Sequence, residues 1–215
     1  MSTSETVGLL NTQEFKLAAS GAGVIVCQQR SKHSFRALLS TRAKSVGLGL
    51  GITGGGFVEI NDIFAQKPGY VIETVVEAWR EATEENDGFE ELFPLDDFLD
   101  RAQSIATMHA RTSDVNGVHG TNFYALTVTD EEWERAAALK PGPERHGPLM
   151  EIWVEFTDQV IHRCQPEEGI TLRMDDGKEC QSGFYHLHEK RALAHIAWHV
   201  QQGLLWAPPA ERSLP

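Results

Sequence analysis

Cysteine, positive charge and long apolar runs are all scarce in this sequence. Cys27, Cys164 and Cys180 are odd in number and form no C-x-x-C pair, which argues for a reduced, cytoplasmic setting. Cys27 lies in an apolar run and reads as core, while Cys164 and Cys180 are spaced to flank a hairpin, with a disulfide between them the lesser reading. Lysine and arginine number 19 against 31 aspartates and glutamates, a formal net charge of −12, which argues against a general binder of extended nucleic acid. A small nucleotide remains compatible, because a bound Mg²⁺ brings positive charge to the phosphates locally. No apolar run approaches the roughly 20 residues of a membrane span. Met1 to Lys16 has no basic segment leading into an apolar one, so neither a signal peptide nor a membrane partner is expected. Repeats and low-complexity tracts are missing too. With 41% hydrophobic and 23% charged residues, the chain reads as one globular domain over 21–215 behind a polar extension at 1–20. A homodimer of that domain is left open.

What is present is concentrated between Thr53 and Phe89. The stretch begins with Gly54-Gly55-Gly56 and closes with Arg80-Glu81-Ala82-Thr83-Glu84-Glu85-Asn86-Asp87-Gly88. Between them, Ile72, Val75, Val76, Trp79, Ala82 and Thr83 fall on one stripe at about 100° per residue, which predicts an amphipathic helix with that stripe toward a core. Glu73, Glu77, Glu81, Glu84 and Glu85 fall on roughly the other side. Glu81 and Glu84 are three apart, and Glu77–Glu81 and Glu81–Glu85 are four apart, so like charges adjoin at a few tenths of a kcal/mol each. Two readings compete. One is a solvated acidic face; the other is a site for a hard divalent cation, which takes carboxylate and phosphate oxygens.

The glycines ahead of the acidic helix favour the second reading. Gly-Gly-x-Val-Glu followed by Arg-Glu-x-x-Glu-Glu resembles the signature of the Nudix hydrolases, G-x5-E-x7-R-E-U-x-E-E-x-G-U, where U is a bulky apolar residue. Gly56 matches the first glycine, Asp62 stands at the first glutamate, and Arg80, Glu81, Ala82, Glu84 and Glu85 match the helical core. Seventeen residues separate Asp62 from Arg80 instead of seven, an insertion of ten within Ile63–Ile72, and Asp87 adds one residue before Gly88. Lys67-Pro68-Gly69-Tyr70 in the insertion is a turn signal, and lengthening a surface loop adds little closure entropy. Glu73 either replaces the displaced first acid or simply favours the helix N-terminus. The resemblance implies an α/β/α sandwich around a central mixed sheet. It also implies Mg²⁺ or Mn²⁺ held by Glu81, Glu84 and Glu85, with Arg80 orienting the acids and Gly55 and Gly56 near the substrate.

The flanking chain fits such a sheet. Gly23–Cys27 and Phe35–Ser40 read as strands, and Gly47, Gly49 and Gly51 serve either close approach or plain turns. Leu95 to Met108 has helical spacing through Leu95, Phe98, Leu99, Ala102, Ile105 and Ala106. His109 to Gly120 reads as a polar loop in which Arg111 is a candidate clamp for a multi-oxygen anion. Thr121–Val128 reads as a strand, and Thr129 with Glu132 forms a capping-box pattern for a short helix to about Leu139. Lys140–Pro148 is rich in breakers and carries Glu144. Met150–Phe156 alternates as a strand, Ile170–Met174 begins a hairpin turning at Asp176-Gly177 within a 164–186 embellishment, and Leu187–Leu205 is a final helix. His195 and His199 stand four apart on it without an H-E-x-x-H pattern, so packing roles are expected there.

The activity this implies is metal-dependent hydrolysis of a phosphoanhydride in a nucleoside diphosphate linked to another moiety. The cation offsets phosphate charge and acidifies a water, with Glu81 or Glu144 as the general base. Tyr70 is a candidate for stacking on a base. The second reading is a nucleotide-binding or regulatory module of the same fold without turnover. The third is an unrelated globule with an acidic helix.

Overall fold

The computed structural model describes residues 21–44, 47–56, 74–112, 117–142, 147–157, 169–174, 176–180 and 187–207, with backbone alone at 41–44, 47–49, 109–112, 117–119 and 187–188. Asp62, the insertion Ile63–Ile72 with Tyr70, Glu73, Glu144 and Cys164 lie outside the described residues.

The chain is organised on β1 (Gly21–Ser31). Ala22, Val24, Ile25, Val26 and Cys27 are all buried to 1% exposure or less. A continuous apolar run of this kind suits a strand covered on both faces. β1 pairs antiparallel with β2 (Ser34–Lys44) and parallel with β7 (Gly117–Thr127), with Gly21 opposite Thr121 and Cys27 opposite Thr127. β2 also pairs with β9 (Leu149–Phe156), which carries the edge strand β10 (Ile170–Met174). On the far side β7 pairs antiparallel with β6 (Gln103–Thr112). The order is therefore β10-β9-β2-β1-β7-β6, with β3 (Gly47–Gly51) added to β2 and β4 (Gly54–Gly56) added to β1. One parallel pair among antiparallel ones makes the sheet mixed.

Side-chain alternation sends the two faces into separate cores. Ile25, Cys27, Phe35, Ala37 and Leu39 join Ala192, Leu193, Ile196, Ala197 and Val200 of α5 (Leu187–Gln201). Ala22, Val24, Val26 and Leu38 join Ala78 and Ala82 of α1 (Thr74–Glu85). Phe89 of α2 (Phe89–Leu92), Phe98 of α3 (Leu95–Arg101) and Trp133 of α4 (Asp130–Ala137) complete that second core. The result is an α/β/α sandwich with a central mixed sheet, as the resemblance implies. Among the described residues no helix is long and apolar enough to cross a membrane.

Three sequence expectations change. The helix expected over Leu95–Met108 stops at Arg101, and Gln103 already pairs with Ala125 in β6. A bulge between Ser104 and Ala106 shifts the strand register, so buried Ile105 and Met108 stand three apart and imitate helical spacing. The polar loop expected over His109–Gly120 is largely the β6–β7 ladder, in which Arg111 pairs with Val118. Ile170–Met174 finds its long ladder partner in β9. The hairpin turn expected at Asp176-Gly177 is present, with Gly177 at φ 76° and the Met174 amide donating to the Lys178 carbonyl, but its return arm is only a single bridge from Arg173 to Glu179.

Other expectations hold in detail. Thr129 accepts from the Glu132 amide while the Glu132 carboxylate accepts from the Thr129 amide, a complete capping box on α4. His195 and His199 belong to the helix itself, with His199 Nδ1 2.8 Å from the His195 carbonyl. Cys27 is wholly buried, and burial pushes its thiol up to about 12. Iodoacetamide at pH 8 is therefore expected to leave Cys27 unmodified in the folded protein and to label it only on unfolding. Peptide mapping checks this, and rapid labelling of native Cys27 would contradict its burial.

Candidate active site

The site begins with the way α1 lies on the sheet. A side chain at Gly54 would collide with the Ala82 backbone, and one at Gly56 with the Glu81 carboxyl group. Helix and strand touch because both sides are small. Thr53 fixes the turn before β4: its hydroxyl donates to the Leu38 carbonyl at 2.6 Å and accepts from the Val26 amide at 2.8 Å. Asn86, at the end of α1, donates through Nδ2 to the carbonyls of Thr53 and Ala82 at 3.0 and 2.8 Å. The first turn of α1 is held at Thr74, whose hydroxyl lies 2.6 Å from the Tyr124 hydroxyl and accepts from Asn122 Nδ2 at 3.1 Å. Both ends of the helix are thus fastened to the sheet by buried or half-buried polar contacts.

This seating turns the acidic side inward. Glu77, Glu81 and Glu85 are 7%, 7% and 6% exposed and Ala78 is fully buried, whereas Val76 and Thr83 of the expected core stripe are only half-buried. The reason is β4. A strand of three glycines leaves a gap beside the helix that a carboxylate can enter. Glu84, on the outer flank, remains 41% exposed at its side chain.

Buried like charges need a counter-charge, and Arg80 supplies it. Its Nη2 donates to Glu77 Oε1 at 2.5 Å and to Glu81 Oε1 at 2.6 Å, its Nε donates to Glu77 Oε2 at 3.2 Å, and its Nη1 donates to Glu84 Oε1. The hydrogen bond to Glu77 leads the causes that hold the guanidinium pKa above its usual value. Glu81 moves the other way for a carboxylate. Burial is the main cause that raises it to about 7, Arg80 opposes that rise, and Glu77, Glu84 and Glu85 add to it. A carboxylate with a pKa near neutrality can exchange a proton at working pH.

Of the residues singled out from the sequence, Arg80, Glu81 and Glu84 come together. Glu85 lies on the buried side, where its carbonyl accepts from the Gly142 amide at 2.8 Å. That contact accompanies a two-stranded ladder of β5 (Asn86–Asp87) with β8 (Lys140–Pro141). Gly55 and Gly56 lie in β4 against β1. The Arg111 side chain is outside the described residues. Thr53, Asn86, Thr74 and Tyr124 carried no signal as single letters. Glu77 did, because three residues ahead of an arginine is a pairing distance on a helix.

Among the described residues, no three acidic, histidine or cysteine side chains converge to hold a metal ion by themselves. The donors nevertheless suit Mg²⁺, which commonly takes one or two carboxylates and completes its shell with water and phosphate oxygens. Glu81 and Glu84 each give only Oε1 to Arg80. That leaves one oxygen apiece for another cation.

No protein-family model and no curated protein matches the sequence. Solved structures do resemble the fold. One is a MutT/nudix family protein from Enterococcus faecalis, at 12% identity and TM-score 0.48, covering 91% of this chain and 68% of that one. Another is the NUDIX domain of Shewanella oneidensis NrtR in complex with ADP ribose, at 15% identity and TM-score 0.39, covering 69% and 81%. The C. elegans Ap4A hydrolase matches at 14% identity and TM-score 0.38, covering 66% and 84%. These resembled structures are Nudix proteins.

Proposed function

We propose that the chain is a Nudix hydrolase that cleaves a phosphoanhydride in a nucleoside diphosphate linked to another moiety, with Mg²⁺ or Mn²⁺ as cofactor. The observation that supports this best is Glu81: a buried carboxylate lodged against Gly56, raised to about 7, with one oxygen on Arg80. Glu81 and Glu84, with Glu85 behind them, are the residues that would hold the cation. When bound, the cation offsets charge on the phosphate oxygens and activates a water for attack. Glu81 is the candidate general base by its place among the cation's ligands; the raised pKa belongs to the metal-free site, and a bound cation would lower it. Arg80 keeps the acids apart from one another while the site is empty of substrate. Gly55 and Gly56 keep the strand flat beside the carboxylates, and Arg111, on the β6–β7 ladder, is the proposed anion clamp.

A second reading is favoured by one observation: Arg80 already occupies an oxygen of both Glu81 and Glu84, and no third ligand joins them among the described residues. A protein with this site could bind nucleotide without turnover. Metal response separates the readings. Millimolar Mg²⁺ or Mn²⁺ is expected to raise the melting temperature by mass action, and Glu84→Gln to require at least about tenfold more metal for the same rise. Phosphate release from a panel of nucleoside diphosphate compounds, with and without metal, then tests turnover. Nucleotide binding without release, with or without a metal response, promotes the binding module; a wild type with neither metal response nor nucleotide binding removes both readings.

A further inference from the structure

Glu77 is buried and acidic, and nothing in the proposed reaction uses it. Its contacts differ in kind from those of its neighbours. Glu77 gives both oxygens to one guanidinium, Oε2 to Nε at 3.2 Å and Oε1 to Nη2 at 2.5 Å. Glu81 and Glu84 each give one, to Nη2 and Nη1. A two-point fork fixes both the position and the plane of a guanidinium, which a single contact cannot do. The fork is sheltered as well as two-pointed: the Glu77 side chain is 8% exposed, close to the 9% of Glu81 and well below the 41% of Glu84. Exposed ion pairs hold geometry weakly.

We propose that Glu77 is a positioning residue: by taking the Nε edge of Arg80 it sets the guanidinium so that Glu81 and Glu84 each keep one oxygen for a second cation. Without the fork, Arg80 is free to pivot about its own side chain and close onto both oxygens of Glu81 or Glu84. Glu77 is the least available of the three acids to a cation in this arrangement, because both its oxygens already accept from Arg80. The consequence for metal rests on the hydrolase reading; the geometry does not.

The test therefore has two arms. In metal-free protein labelled with nitrogen-15, the Arg80 Nε–H resonance, assigned by its loss in Arg80→Lys, should exchange slowly with solvent. Glu77→Gln should speed that exchange at least about tenfold, since an uncharged amide has one acceptor oxygen in place of two and cannot hold Nε and Nη2 together, while Glu84→Gln should leave it slow. Glu77→Asp, which keeps the charge and shortens the reach, gives the same comparison should Glu77→Gln fail to fold. Unchanged exchange overturns the proposal. In the second arm Mn²⁺ affinity is measured for wild type, Glu77→Gln, Arg80→Gln and the double variant. Positioning predicts that Glu77→Gln weakens Mn²⁺ at least about tenfold more with Arg80 present than with it replaced. Additive losses would mean that Glu77 acts on the metal directly, and would overturn it. A wild type that binds no Mn²⁺ defeats the hydrolase reading, while the exchange arm still decides Glu77 by itself.

Discussion

Glu81→Gln is expected to lower turnover at least about a hundredfold, the scale of a lost general base or key electrostatic group. Nucleotide affinity should suffer much less, because its contacts lie elsewhere. The same variant has a second signature in the metal-free protein. Burial raises the Glu81 carboxyl to about 7 in the folded protein, against an ordinary value of 4.5. Between those values the folded state holds a proton that the unfolded chain has released. Stability therefore falls as pH rises through this window and levels off above it. Glutamine carries no such proton, so Glu81→Gln should flatten the slope and be as stable as wild type or more so near pH 8. Urea midpoints at pH 5, 6, 7 and 8 measure it. Parallel pH profiles for variant and wild type would show that Glu81 is not the titrating group, and a variant with wild-type turnover would end its catalytic assignment.

Gly54→Val should be the most damaging single change to the fold around the site. The atoms in the way of a side chain at Gly54 are the Cα, Cβ and N of Ala82. Two of the three are helix backbone, so no rotamer change clears them. Overpacking of this kind costs about 1–3 kcal/mol, occasionally more, and here it lifts α1 together with Glu77, Glu81 and Glu85. Gly54→Ala should show a smaller loss of the same sign, and adding Ala82→Gly should recover little, because the Cα stays. A shift in urea midpoint with unchanged slope is the expected record. Wild-type stability in Gly54→Ala would mean that the helix does not press on β4 as described.

These two results mark how far the sequence could be read. The acidic helix and the glycine cluster are legible as a pair, because Arg80, Glu81, Glu84 and Glu85 fall at fixed spacing behind Gly54-Gly55-Gly56, and the glycines separate this helix from an ordinary solvated acidic face. The strands at β1, β2, β7 and β9 followed from apolar runs and alternation, and the α4 cap from Thr129 and Glu132. The direction in which the acids face did not follow. Periodicity assigns charge to water, and only the contact of Gly56 with Glu81 reveals a gap that takes a carboxylate. Gly54 has no role of its own in the sequence pattern, yet it is the glycine that lies against Ala82 of the helix. The boundary at Arg101 was hidden because the bulge at Ser104–Ala106 gave a strand the spacing of a helix. Arg36 shows the same limit elsewhere. Its guanidinium lies 4.0 Å from the Trp133 ring centre and bonds Glu151 and Gln28, partners far from one another in the chain that no local pattern connects.

The parallel pairing of β1 with β7 also sets an order of events during synthesis. β1 and β2 meet across a two-residue turn, so their hairpin can form as soon as both are made. The other edge of β1 must wait for residues 121–127, about a hundred positions later, and loops of that span close slowly. Until then a strand that is buried over Gly21 to Gln28 in the folded protein presents a row of unsatisfied amides and carbonyls, a template for pairing with other chains. β4 pairs with Ala22 to Val24 on the opposite edge, the one β2 also uses, and shields none of this one. A nascent or truncated chain ending before Thr127 therefore carries an open, sticky edge, and the anchor of α1 through Thr74 to Tyr124 comes into being only when that edge is closed.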